Sequence, residues 1–131
     1  MYQNHRYIQD QKMNELKTMP DWYWKKGLHD AHILGEVVLT RDQLDASGYI
    51  ANGIELRLDS SMAMFDTEIC AIRFFNYKEL TPEIPLADSW WTEDTLLKKG
   101  NKFLLQLKVL KQKQWYVYQL RFETCEVIRC R

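Results

Sequence analysis

The sequence predicts a mainly β domain of the α+β kind: an N-terminal helix followed by an antiparallel β-sandwich or open barrel of about six strands. Three observations carry this. Past Ala31 the chain alternates apolar and polar residues over short stretches, as in Ile54-Glu55-Leu56-Arg57-Leu58-Asp59, which places apolar side chains on one strand face and charges on the other. Helical spacing is confined to one long stretch near the start. The links between stretches are short and polar, without the strand–helix–strand alternation of a parallel sheet.

Taken in order, residues 1–20 form a helical leader, with the helix over 5–18 and its apolar side at Tyr7, Ile8, Met13 and Leu16. Pro20 ends it, because proline disfavours helical backbone at the residue before it. Residues 28–131 are the antiparallel β core. The first strand lies in 33–40, rich in branched residues, and a polar run over 41–48 leads to the alternating strand at 54–59. Residues 69–77 are apolar on both parities apart from Arg73, as in a strand covered on both sides. Pro82 and Pro85 make 78–90 a loop. A short helical turn follows, with Thr92 as its cap, Glu93 and Asp94 at its positive end, Lys98 and Lys99 at the other, and Gly100 in the left-handed closing position. Phe103, Leu105, Leu107 and Val109 then alternate on one strand, and Tyr116, Tyr118, Leu120 and Phe122 on the next. The polar residues 111–114 join them as a hairpin, and 125–130 form a last short strand.

A chain of 131 residues fits a single domain and buries about two thirds of its unfolded surface. With 46% hydrophobic and 13% aromatic residues, a packed core follows and global disorder is excluded. No apolar run reaches the roughly 20 residues that cross a bilayer, and the first residues lack the apolar stretch of a signal peptide. No membrane partner is therefore expected, and the location is cytoplasmic. Cys70, Cys125 and Cys130 lack metal-type spacing and read as structural free thiols in a reducing compartment.

Net charge is zero, but residues 1–97 carry −7 and residues 98–131 carry +7. A nucleic-acid binder usually has a basic overall balance, so neutralisation of the basic strands by acidic neighbours is the preferred account. The two opposite segments also permit a homodimer. Gly-rich phosphate loops, a nucleophile elbow and a reactive-cysteine setting are all absent from the sequence. Glu93 and Asp94 fit a helix start better than a glycosidase pair.

The densest group of titratable residues is Leu28-His29-Asp30-Ala31-His32-Ile33-Leu34. If 28–39 is one strand, His29 falls on the face of Ala31, Ile33, Val37 and Leu39, whereas Asp30, His32 and Glu36 share the other. Two imidazoles on opposite faces cannot hold one ion. The alternative keeps His29, Asp30 and His32 as ligands of a metal-binding module or metal-dependent hydrolase. Trp90 and Trp91, with Trp22, Tyr23 and Trp24, lie in connecting segments, where they either staple the core or anchor a partner.

The run Trp24-x-x-Gly27-Leu28-His29-Asp30-Ala31-x-Ile33 resembles the "LHDA" opening of small bacterial β-rich proteins, some of which are grouped as immunity proteins of polymorphic toxin systems. Asn52-x-Ile54-x-Leu56-x-Leu58, Ile72-x-Phe74-x-Asn76-x-x-Glu79-Leu80 and Trp90-Trp91-x-x-Asp94-x-Leu96 are similar to that family's later strand motifs. The resemblance covers residues 22–97 and implies a cytoplasmic accessory protein that masks a cognate toxin. It implies no catalytic residue and no cofactor. The expected function is thus non-enzymatic protein binding, through Asp30, His32 and Glu36 on one strand face, Trp90 and Trp91 in their loop, and Lys108, Lys111 and Lys113 at the hairpin.

Overall fold

A computed structural model describes residues 28–44, 48–63 and 68–130. The leader over 1–20, with the helix expected at 5–18, and the aromatic group at 22–24 lie outside the described residues. Eight antiparallel strands make up the described chain: β1 (Ala31–Val38), β2 (Gly53–Asp59), β3 (Ile69–Phe75), β4 (Lys78–Glu79), β5 (Ser89–Lys99), β6 (Lys102–Lys111), β7 (Gln114–Phe122) and β8 (Thr124–Arg129). The helix content of these residues is a single 3-10 turn, Arg41–Gln43.

All eight strands belong to one sheet, in the order β4-β7-β6-β5-β1-β2-β3-β8. The two-layer sandwich is therefore corrected to a single sheet. Its ends are linked through the chain, because β4 continues β3 past Asn76 and Tyr77, and β8 continues β7 past Glu123. Both ladders keep one register: Phe75 lies opposite Thr124, and Lys78 opposite Arg121. The Glu123 N–H donates to the Phe75 carbonyl at 3.1 Å across the break. The sheet thus rolls around its apolar face, and Phe74 and Phe122 meet edge-on inside it, 4.8 Å apart.

The core is the enclosed face. Ile33, Leu56, Ile72, Phe74, Trp91, Leu105, Leu107, Val109, Tyr118, Leu120 and Phe122 are all buried in one cluster. Along β6 and β7 they fall on alternate positions, whereas β3 also buries Ala71 and Phe75, and β2 buries Glu55, on the opposite parity. Full burial of one such side chain stabilises the fold by roughly 1.5–3 kcal/mol.

Three local expectations are corrected. The helical turn after Thr92 is instead the extended middle of β5, held against β6 from Trp90↔Leu110 to Lys99↔Lys102. Cap and charge preferences are worth a kcal/mol or less each, and a nine-pair ladder that buries Trp91 and Leu96 outweighs them. Gly100 does take the left-handed conformation, φ 63°, but in the two-residue turn between β5 and β6. The 78–90 loop contains the short strand β4 and the start of β5. Cys70 and Cys130, expected as free thiols, are joined by a disulfide from β3 to the residue that follows β8, with Cα atoms 5.4 Å apart, and Cys125 keeps its thiol.

Candidate functional site

β1 decides which side chains are presented. Residues 28–31 form a turn, with the Ala31 N–H donating to the Leu28 carbonyl at 2.9 Å, and Asp30 sits at φ 74° with its N–H on the Trp91 carbonyl. Extended backbone begins only at Ala31, so His29 lies in the turn rather than on a strand face. His32 is the first outward residue, opposite Asp59 on β2 and Trp90 on β5.

A bulge then intervenes. Ile33 pairs with Leu58 but Gly35 with Arg57, so Leu34 is the extra residue. A bulge shifts parity by one. Glu36 consequently lies opposite the buried Leu56 and faces inward, away from His32. The expected Asp30/His32/Glu36 face does not form, because strict alternation fails at Leu34.

On the outer side the registers line up a row that crosses four strands. His32, Trp90, Leu110 and Trp115 follow one another on β1, β5, β6 and β7. Adjacent strands are about 4.8 Å apart, so the row spans roughly 14 Å. The His32 and Trp90 rings stack with centroids 4.6 Å apart, and His32 Nε2 hydrogen-bonds Asp88 Oδ1 at 2.7 Å. Both tryptophans reach solvent, Trp90 at 40% and Trp115 at 56%, and Val117 beside them at 51%. The Lys108 ammonium lies 4.8 Å from the Trp115 ring centroid, with Glu93 as its cross-strand neighbour. Asp59 is held below the usual carboxylate range by the hydroxyl and backbone of Ser61 and then by His32.

The other expected residues fall elsewhere. Trp91 is fully buried, with Nε1 donating to Asp94 Oδ2 at 2.8 Å, so it staples the core and presents nothing. Lys111 Nζ donates to the Ala87 carbonyl at 2.6 Å, and Lys113 occupies the tip of the β6–β7 hairpin at φ 65°. Of the eight residues expected at the binding surface, only His32, Trp90 and Lys108 come together. Trp115 and Leu110 complete the row, and neither stood out from the sequence. The signal was there for Trp115, which is opposite in parity to the core residues Tyr116 and Tyr118.

The metal reading meets a different geometry. Asp30 Oδ2 lies 3.1 Å from His29 Nδ1, yet that buried nitrogen makes no hydrogen bond. His32 is committed to Asp88 and Trp90. Among the described residues, no three His, Cys, Asp or Glu side chains converge as a ligand set.

Comparison with protein families, curated proteins and solved structures finds no match to this chain. The functional reading therefore rests on the surface itself.

A second polar group lies on the inner side, where β1 and β4 face each other across the roll. The Glu36 and Glu79 carboxyls hydrogen-bond to each other, and the Tyr118 hydroxyl donates to Glu79 Oε2 at 2.8 Å. Desolvation first, then the Glu79 charge and hydrogen bond, pushes the Glu36 carboxyl up to about 7. The Tyr118 phenol is raised far above its ordinary value by burial and by Glu79, and Tyr77 is raised by burial and both carboxylates.

Proposed function

We propose that this chain is a non-enzymatic protein-binding protein of the toxin-neutralising, immunity type, acting on its partner through the His32–Trp90–Leu110–Trp115 row. The observation that carries the reading is the exposure of two tryptophans in one register, on β5 and β7, with Leu110 of β6 between them. Tryptophan dominates interface hot spots, where truncation to alanine costs 2 kcal/mol or more. The backbone beneath the row is regular sheet, paired on both sides at His32, Trp90 and Leu110 and to β6 at Trp115, so little ordering cost is added on binding. Asp59 and Asp88 beside His32, and the cross-strand pair Glu93 and Lys108 beside the tryptophans, supply charges of both signs for orientation. The resemblance of the Leu28–Ile33 segment to immunity proteins supports the same reading.

The proposal places the protein in the cytoplasm. A Cys70–Cys130 bond that persists in cells would place it in an oxidising compartment instead, so the thiol state of protein trapped by alkylation at lysis decides that part. Among the described residues, no helix is long and apolar enough to cross a membrane.

The function is tested by capture and rescue. The wild-type chain is expected to recover one protein in fixed ratio, to relieve the growth arrest that protein causes when expressed alone, and to lose both properties in the Trp90→Ala/Trp115→Ala variant. Recovery of no partner, or full protection by the double variant, contradicts the proposal. Recovery of only a second copy of this chain assigns the row to a homodimer.

A further inference from the structure

The β5–β6–β7 wall carries a second feature at its opposite end, past the polar row Thr95, Gln106 and Gln119. Here the outward pairs are Leu97↔Leu104 and Leu104↔Arg121, with Lys78 opposite Arg121 and Lys99 opposite Lys102 beside the turn. They border a groove of about 460 Å³, within the roughly 300–1,000 Å³ of small-molecule sites. Its floor is hydrocarbon: Leu80, Leu97 and Leu104, over the ring of Phe103. Leu97 is 51% exposed and Leu80 41%, so aliphatic surface is left in water at both sides of the groove.

The rim is cationic. Lys98, Lys99, Lys102 and Arg121 line the groove, and no carboxylate does. Lys99 and Lys102 are direct cross-strand neighbours of like charge, a pairing that is unfavourable until an anion lies between them. The groove also lacks asparagine, glutamine, serine or threonine, so the amide groups of a bound peptide would find few partners.

We propose that this groove binds a single-chain aliphatic carboxylate, with the chain on the leucine floor and the head group at the cationic rim. The planar fork of Arg121 matches a carboxylate with two parallel hydrogen bonds, and the lysines add charge. An uncharged chain of the same length satisfies the floor but leaves the rim repulsion in place. A cationic one worsens it.

Decanoate below its micellar concentration is the probe, titrated into the full chain by calorimetry and by amide NMR shifts. The expected result is saturable one-to-one binding, with shifts centred on Leu97, Leu104 and Arg121. Decanol and decyltrimethylammonium are expected to bind at least tenfold more weakly. Lys102 and Arg121 are exposed, so Lys102→Glu/Arg121→Glu is expected to fold and to lose at least tenfold in affinity, whereas Lys113→Glu, outside the groove, leaves it unchanged. Leu104→Asn provides a second variant that removes floor rather than charge, and it too is expected to weaken binding. The proposal is overturned if decanol matches decanoate, if the shifts centre on Trp90 and Trp115, if the double variant binds as wild type, or if only anionic vesicles and no monomeric carboxylate are bound.

Discussion

Upstream of the Leu34 bulge, β1 turns His32 outward into a stacked, solvent-facing row; downstream, it turns Glu36 inward onto Glu79 and beneath Tyr118. Both side chains are titratable and only four residues apart, yet they meet opposite physics. His32 shares its exposed face with indole rings and keeps a direct hydrogen bond to Asp88, whose side chain is 79% exposed. Glu36 meets a second carboxyl, and desolvation together with the Glu79 charge disfavours its ionised form. The outer half of the strand presents His32 beside an exposed indole, the face proposed to meet a partner. The inner half turns Glu36 towards Glu79 and Tyr118 of the same chain, although its side chain still reaches solvent.

The neighbouring tryptophans give the largest contrast between the two sides. Trp91→Ala empties a fully buried site and is expected to destabilise the fold by about 3–5 kcal/mol. Trp90→Ala removes an outward ring and is expected to cost within about 1 kcal/mol. Denaturant unfolding of both variants checks this, and equal losses would show that Trp90 belongs to the core. Tyr118→Phe should follow in size, at about 1–3 kcal/mol, because the Glu79 oxygen loses its donor in a place water reaches poorly. A neutral result from the same unfolding measurement would mean that water replaces the phenol there.

The smallest effect lies in pH dependence. Glu36 titrates at about 7 in the folded chain against an ordinary 4.5. Between those values the folded state holds more protons than the unfolded one. Stability therefore falls as pH rises from 4.5 towards 7, and levels off above. Glu36→Gln is expected to flatten that slope by up to one proton, with solvent screening trimming the change because part of the Glu36 side chain is exposed. Unfolding midpoints measured across pH 4.5–7.5 test it; parallel curves for wild type and variant would contradict the inward placement.

Much of the sheet could be read from the residues. The alternation in 54–59, 103–109 and 116–122 identifies β2, β6 and β7 because their core-facing residues recur at every second position, and the polar residues 111–114 mark the β6–β7 hairpin. The middle of β5 was not readable, since Thr92, Glu93, Asp94, Lys98 and Lys99 carry weak helix-end preferences that the ladder with β6 overrides. The site was legible only in pieces. His32, Trp90 and Lys108 stand out by residue type, but their union depends on register across four strands, which no local pattern encodes. Glu36 was misplaced for a single reason: Leu34 looks like any strand residue, and nothing in its side chain announces that the backbone accommodates one residue too many. Trp115 was overlooked because the core residues Tyr116 and Tyr118 draw attention to the other parity.

The most direct test measures the affinity of the captured partner for three chains side by side: wild type, Trp90→Ala/Trp115→Ala and Glu36→Gln. A loss of roughly thirtyfold or more in the tryptophan variant, equivalent to about 2 kcal/mol, is expected, with Glu36→Gln binding as wild type does. Binding abolished by Glu36→Gln in a folded chain, with the tryptophan variant unaffected, would move recognition to the inner side and contradict the account.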